Sequence, residues 1–128
     1  MIERIYLGDR SIKNIEIDCW EKVIRIKIDC ISRIEIGTDN WNFYEKEDIC
    51  DGYLVFSNVS DFEITPLGSI PDDYIVNYKF SEISGNEYVF NMYSGGTIPS
   101  APDKIGGCYT LIKHEDSWLE NSLKEKVE

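Results

Sequence analysis

The chain has 128 residues, of which 42% are hydrophobic and 29% charged, and its formal net charge is −11. This length suits one domain with a single core, here residues 1–128, and the composition excludes a globally disordered chain. Such a negative charge disfavours binding to nucleic acid and to anionic membrane surfaces. A basic partner, a cation or plain solubility are the roles that it leaves open.

No apolar run approaches the length of a membrane span, and the charged first ten residues predict no secretory signal. The expected location is therefore the cytoplasm, with reduced thiols. None of the four cysteines forms a CxxC pair or lies at metal-ligand spacing from a histidine. Alternation places Cys19 and Cys30 on the apolar side of their strands, so we expect mostly buried thiols.

Apolar and polar residues alternate through the first third of the chain, which predicts strands at about Ile2–Leu7, Ser11–Cys19 and Val23–Ile31. A turn at Glu21-Lys22, or one longer by two residues, makes a hairpin of the last two strands. Its apolar side chains should be buried together, and they are Ile15, Ile17, Cys19, Ile24, Ile26 and Ile28. The charged residues between them meet as acid–base pairs, which indicates a solvated outer face.

Further strands are predicted along the rest of the chain by the same alternation. They lie at 34–36 and 41–43 as a second hairpin, and at 53–59, 61–65, 74–83, 87–93 and 108–114. The segment 94–107 is rich in Gly and Pro and is predicted to be a long loop. Ser117 and Glu120 fit a capping box, so a C-terminal helix is expected from about Ser117 to Lys126.

These elements predict a mainly β fold. We expect an antiparallel two-layer sandwich, or a strongly bent barrel, of eight or nine short strands with one C-terminal helix.

The negative charge is concentrated in one segment. Residues 35–73 carry one basic and ten acidic side chains, whereas residues 1–34 carry seven basic and six acidic ones. Aromatic residues are interleaved with these acids, a mixture that suits docking of a basic protein. The candidate partner-binding residues are Trp41, Phe43, Tyr44, Glu45, Glu47, Asp48, Asp51, Asp72 and Asp73. The alternative is that the aromatic residues are core and the acids a solvated rim.

The sequence contains only weak indications of catalytic residues or of a cofactor site. His114 is the sole histidine, and its neighbour Glu115 on a strand would point to the opposite face and cannot orient it. The sequence DICDG around Asp48 and Asp51 lacks the ligand pattern of a calcium loop, and GGTIPSAPDKIGG lacks the ending of a phosphate loop. No metal site, no cofactor and no catalytic residues are predicted.

Four phrases, YLGDRSIKNIEID, ISRIEIG, GYLVFSNVSDFEI and IPDDYI, resemble a group of small uncharacterised bacterial proteins. This run of motifs, within about residues 5–76, is similar in style to immunity proteins of bacterial polymorphic toxin systems. The resemblance implies a β-rich cytosolic protein with a toxin as its partner, and it supplies no catalytic residues.

The leading hypothesis is therefore a non-enzymatic binding protein that sequesters or neutralises a basic protein, such as a toxin domain. The alternative is a structural or self-assembling β module, and an enzyme is third. An enzyme should show a deep pocket with convergent polar groups, whereas a binding protein should show an exposed acidic surface.

Overall fold

The computed structural model describes residue 2 and residues 4–34, 48–71, 74–98 and 101–127. Within these residues the chain forms ten β-strands and no helix. The strands are β1 Ile5–Tyr6, β2 Ile12–Asp18, β3 Val23–Arg33, β4 Ile49–Ser57, β5 Asp61–Thr65, β6 Ile75–Ser84, β7 Glu87–Ile98, β8 Ala101–His114, β9 Asp116–Glu120 and β10 Lys126–Val127.

The strands make two antiparallel sheets. The first has the order β1-β3-β4-β9-β10, with β2 also paired to β3, and the second has the order β5-β8-β7-β6. Their inner faces share one apolar core, in which the ring centroids of Phe56 and Phe90 lie 5.1 Å apart. The predicted antiparallel, mainly β architecture of two layers is confirmed, and within the described residues the ladders do not close into a barrel.

One antiparallel strand pair continues from the first sheet into the second. The pair of β4 and β9 continues as the pair of β5 and β8, with Ser57 opposite Asp116 and the amide of Ser60 donating to the carbonyl of Lys113 at 2.9 Å. The amide of Glu115 donates to the Ser57 carbonyl at 3.1 Å, so the bend itself is hydrogen-bonded. This corner lies beside the turn between β2 and β3, because the amide of Val59 donates to the carbonyl of Lys22.

The predicted hairpin of β2 and β3 is present, with a shifted register. Ile15 pairs with Ile26 and Ile17 with Ile24, because the turn has four residues, Cys19–Lys22. A shift of two residues keeps every side chain on its predicted face. The expected burial holds for the β3 isoleucines at 24, 26 and 28, but not for Ile17, which is 54% exposed, or for Cys19, which is exposed. Ile17 lies on the edge strand β2 and Cys19 in the turn that follows it, and both line an open groove between the hairpin and the start of β5.

The alternation of β3 and β4 reverses near their far ends. The ladder is interrupted between Asp29 and Asp51, which are not paired, and the backbone of Asp51 has a positive φ of 54°. After this interruption, the side chains of Ile31 and Ile49 face the core. Cys30 and its partner Cys50 therefore turn outward. The expectation of mostly buried thiols is wrong for Cys19 and Cys50, which are exposed, and Cys30 is half-buried.

The C-terminal helix is not formed. Residues 116–120 are strand β9, which pairs with β4 and buries Leu119 in the core, and a turn at Asn121 leads to β10. Ser117 does not cap a helix but accepts a hydrogen bond from the amide of Ile2 at 3.1 Å. Pairing with an existing sheet here outweighs a local helical preference of a few tenths of a kcal/mol per residue, roughly.

Much of the predicted glycine-rich loop is strand. β7 continues to Ile98 and β8 begins at Ala101, with Gly95 opposite Gly107. A Cβ atom at Gly107 would overlap the carbonyl oxygen of Ser94, so glycine here permits close backbone contact rather than a loop. The predicted hairpin of 34–36 and 41–43 lies, except for Ile34, outside the described residues. No helix among the described residues is long and apolar enough to cross a membrane.

Candidate functional site

The turn between β2 and β3 is held by its own side chains. The carboxylate of Asp18 accepts hydrogen bonds from the amides of Trp20 at 3.0 Å and Glu21 at 2.9 Å. Lys22 closes the turn with a φ of 58°, and its carbonyl accepts the amide of Val59 at 3.0 Å. The turn is therefore fixed at both sides and docked on the β4–β5 corner.

Trp20 projects from this turn into solvent. Its side chain is 90% exposed, and Ile17 on the same hairpin is 54% exposed. Single exposed apolar side chains are ordinary on protein surfaces, but a tryptophan on a hydrogen-bonded turn beside an exposed isoleucine is the arrangement of an aromatic anchor.

An open, mainly apolar groove of about 190 Å³ lies beside the turn. This volume is below the roughly 300–1,000 Å³ of small-molecule sites and fits protein side chains better. The groove runs between the hairpin and the start of β5, and its lining residues are Ile17, Asp18, Cys19, Lys22, Val23, Ile24, Val59, Ser60, Asp61 and Phe62.

Carboxylates surround the groove. Asp18 and Asp61 line it, Glu21 lies in the turn, and Glu115 accepts a hydrogen bond from the side-chain amide of Asn58 at 3.0 Å, one residue from the groove. Within the described part of the chain, none of these four acids forms an ion pair. We call Trp20, the groove residues, Glu21 and Glu115 together the hairpin-tip surface. Its cations are Lys22 and, on the strand next to Asp61, Lys113, so carboxylates are in excess.

Most of the partner-binding residues that the sequence predicted cannot be placed. Seven of them lie outside the described residues, namely Trp41, Phe43, Tyr44, Glu45, Glu47, Asp72 and Asp73. Asp48 and Asp51 are described, at the start of β4 and so at the opposite end of the first sheet from the hairpin tip.

These two acids have contacts within the fold. Asp51 forms an ion pair with Lys13 at 2.6 Å, and the hydrogen bond and charge of that ammonium lower the pKa of Asp51. One oxygen of Asp48 lies 3.8 Å from the sulfur of Cys30. Acids 61 and 63 of the same acidic segment are on β5, so the described acids of residues 35–73 fall at two ends of the molecule.

The outer face of the first sheet carries a different set of charges, which form ion pairs or lie over aromatic rings. Arg25 binds Glu120 through Nε at 2.8 Å, and the indole of Trp118 donates to the same carboxylate at 3.0 Å. Burial opposes ionisation of Glu120, but these two hydrogen bonds outweigh it and hold its pKa below the ordinary value. The ammonium groups of Lys27 and Lys124 lie 5.6 Å from the ring centre of Tyr53.

His114 is buried in the second sheet. Its ring meets Phe56 edge-on at 4.8 Å, its Nδ1 lies 3.1 Å from the carbonyl of Ile112, and burial lowers its pKa. The cavity beside it, near Glu82 and Ser117, has a volume of about 80 Å³. The space suits a few water molecules rather than an organic substrate.

Metal binding finds no support among the described residues, where no three His, Cys, Asp or Glu side chains come close enough to share an ion. The nearest arrangement is the pair of Asp61 and Glu63 on β5, where a hydrogen bond and the charge of Asp61 raise the pKa of Glu63. Two carboxylates, one half-buried and one exposed, offer too few ligands for a calcium or magnesium site.

Sequence reasoning allowed a turn at Glu21-Lys22 or one longer by two residues, but it missed the hairpin-tip surface because it sought partner-binding residues only in the acidic segment 35–73. A signal was present in the stretch DCWEK, where a tryptophan stands between two alternating strands at a position that no core needs. Turns favour Gly, Asn, Asp and Ser, so a tryptophan there is unusual for a turn.

No curated protein matches this chain. No solved structure matches it either. The model of a family of unknown function, DUF6258, matches residues 1–115. The match extends from residue 1 through β8, so it includes the hairpin tip and the second sheet, whereas β9 and β10 of the first sheet lie beyond it. The chain belongs to the DUF6258 family.

Proposed function

We propose that this chain is a non-enzymatic binding protein that docks a basic protein through its hairpin-tip surface. The observation that carries the proposal is the apolar groove beside a 90% exposed Trp20. Binding interfaces combine a few aromatic anchors with apolar pockets and a polar rim, and here anchor, pocket and rim lie together.

Charge selects the class of partner. The four carboxylates around the groove form no ion pairs within the described residues, and the chain as a whole carries −11. Opposite charge on the partner speeds the encounter, and like charge repels wrong partners. The expected occupant is a protein segment with an apolar side chain for the groove and Lys or Arg on either side of it.

The resemblance to immunity proteins suggests a class of partner for this binding surface. An immunity protein acts by covering a toxin domain, and it needs an interface rather than a reaction centre. A basic bacterial toxin domain, met in the cytoplasm, is the partner that this resemblance implies.

A site-specific crosslinking experiment tests the surface. A photoreactive phenylalanine analogue replaces Trp20 in one variant and Leu67 in another, since Leu67 is 98% exposed and lies beyond the far end of β5. Position 20 should capture one basic protein from native cells, and position 67 should not. Capture of acidic proteins, or equal capture at both positions, contradicts the proposal.

Kinetics with the purified captured protein test the anchor and the charges separately. Trp20→Ala should speed dissociation by about tenfold or more, as loss of an anchor does.

Glu21→Lys with Asp61→Lys should slow association, and added salt should slow it further, since screening acts over about 8 Å at physiological ionic strength. Glu125→Lys with Glu82→Lys is the matched control, because both residues are exposed and lie outside the groove. An association rate equal in the two double variants removes electrostatic steering at the tip.

A second prediction is that the acids of residues 35–73, rather than those of the tip, attract the basic partner and speed its association. Glu47→Lys with Asp48→Lys tests it in the same assay. If this variant slows association and the tip variant does not, the partner docks at the opposite end of the molecule. If the tip variant has the larger effect, the hairpin-tip surface is the docking site.

A further inference from the structure

Two thiols face each other across the neighbouring strands β3 and β4. Cys30 and Cys50 are direct partners in the antiparallel register, and the next pair along, Ile31 with Ile49, is buried. Because successive residues of a strand point to opposite faces, both thiols lie on the outer face. Cys50 is exposed and Cys30 is half-buried.

The spacing of such a pair matches that of a disulfide. Opposed residues of an antiparallel pair have Cα atoms about 4.5 or 5.5 Å apart. Disulfides span Cα separations of about 4.4 to 6.8 Å, so the strand spacing is compatible with the bond. The other two cysteines lack this arrangement, since Cys19 lies in the hairpin turn and Cys108 is buried opposite Ser94.

We propose that Cys30 and Cys50 form a reversible cross-strand disulfide by exchange with a low-molecular-weight disulfide such as glutathione disulfide. The Cys50 thiolate attacks one sulfur of glutathione disulfide, which forms a mixed disulfide and releases one glutathione thiolate. The Cys30 thiolate then attacks the Cys50 sulfur and releases the second glutathione. Two protein thiols are oxidised, one glutathione disulfide is reduced to two thiols, and the two protons pass to the released thiolates.

The surroundings favour this order of attack. Cys50 is open to solvent, whereas Asp48 stands 3.8 Å from the Cys30 sulfur. Burial raises the pKa of the Cys30 thiol, and the charge of Arg10 only partly offsets this, so Cys30 is the weaker candidate for the first attack. The position also has a structural consequence, because the bond would join β3 to β4 beside the last pair of their register, Ile31 with Ile49.

Peptide mapping tests the bond directly. The full chain is equilibrated with glutathione redox buffers, quenched with acid, alkylated after unfolding and digested with trypsin. Cleavage after Lys27, Arg33 and Lys46 should give a linked product of peptides 28–33 and 47–79, which reduction separates. Cys30→Ser should instead leave Cys50 as a glutathione adduct, and Cys19→Ser should leave the linked product unchanged. A linked product that contains Cys19 or Cys108, or persistence of the Cys50 adduct in the wild-type chain, overturns the proposal.

Thermal unfolding gives a second readout that does not depend on mapping. Oxidised wild-type chain should melt roughly 5–15 °C above the reduced chain, because the bond restricts the unfolded state. Cys50→Ser should melt near the reduced wild type in both buffers, which also shows that the variant folds. Equal melting of the oxidised and reduced wild type, with alkylation of both thiols, rules the disulfide out.

Discussion

The outer face of the first sheet and the hairpin-tip surface both combine tryptophan with charged side chains, but they treat these groups differently. On the outer face, Arg25, Glu120 and Trp118 bind one another, and lysines lie over the aromatic rings. At the tip, Trp20 contacts solvent, and the acids around it form no ion pair within the described residues, although Lys113 lies opposite Asp61 in the register of β5 and β8.

This difference separates stability from recognition. A face whose charges are already paired has little left to offer a partner, since each new contact must break an existing one. A surface with exposed apolar groups and unpaired acids gains from being covered. Substitutions on the outer face should therefore change folding stability, and those at the tip should change binding alone.

The largest effect is expected at Glu120, which is 5% exposed. Glu120→Ala leaves the Arg25 guanidinium and the Trp118 indole without their acceptor in a half-buried environment. We expect a loss of about 2–3 kcal/mol in the free energy of unfolding, measured by urea titration.

The matched control for this change is Glu21→Ala at the tip. Glu21 is exposed and makes no ion pair among the described residues, so its removal should change the free energy of unfolding by less than about 0.5 kcal/mol. Similar losses in the two variants would mean that the two regions do not differ in the way described.

The sequence predicted β2 and β3 well, because alternation along these strands reports directly on which side is buried. It failed at Ser117–Lys126, where a capping box and an apolar stripe favour a helix in isolation. That segment pairs instead with β4, which lies more than sixty residues earlier in the chain, and local patterns carry no information on such a partner. The glycine pair of β7 and β8 was missed for a different reason, since a segment rich in Gly and Pro favours a loop on composition although its two halves pair with each other.

The candidate site was harder to predict than the fold. Residues 35–73 are acidic in sequence, but β4 and β5 carry their described acids to two ends of the molecule. The carboxylates of the tip, at 18, 21, 61 and 115, come from three separate segments of the chain. A count of charges along the sequence therefore does not show that they lie close together. The bend that brings them together depends on pairing between Ser57 and Asp116.

Acid should remove part of the stability that Glu120 supplies. Because its pKa is lower in the folded chain than in the unfolded one, its contribution is complete above the unfolded pKa and is lost as the pH falls through the folded value. The gap in unfolding free energy between wild type and Glu120→Gln should therefore be constant near pH 6–7 and narrow from about pH 4.5 downward. A gap that does not change between pH 6 and pH 3 would contradict a charged Glu120 in the fold.

Trp118 and Trp20 provide a chemically matched comparison with a smaller expected effect on stability. Trp118→Phe removes the indole donor to Glu120 and weakens the contact with Lys126, whose ammonium lies 5.4 Å from the ring. We expect a loss of about 1 kcal/mol in unfolding free energy. Trp20→Phe, which removes the same atoms from a ring in solvent, should leave stability unchanged within about 0.5 kcal/mol. If Trp20→Phe is the more destabilising change, then the tip tryptophan is part of the fold and not an anchor.

The smallest effect is expected at Lys124, whose side chain is 47% exposed. Its ammonium forms an ion pair with Glu16 at 2.9 Å and lies over Tyr53, so it ties the turn after β9 to strand β2. Exposed ion pairs contribute about 0.2–1 kcal/mol and are screened by salt, whereas a lysine stem over a ring is less sensitive to ionic strength. Lys124→Gln should therefore cost about 0.5 kcal/mol at low salt and less in 1 M NaCl, as measured by urea titration in both. Lys22→Gln is the control, since Lys22 has no ion pair among the described residues, and it should show no such salt dependence. A loss at Lys124 that is equal at both salt concentrations would assign its role to packing on Tyr53 and not to charge pairing.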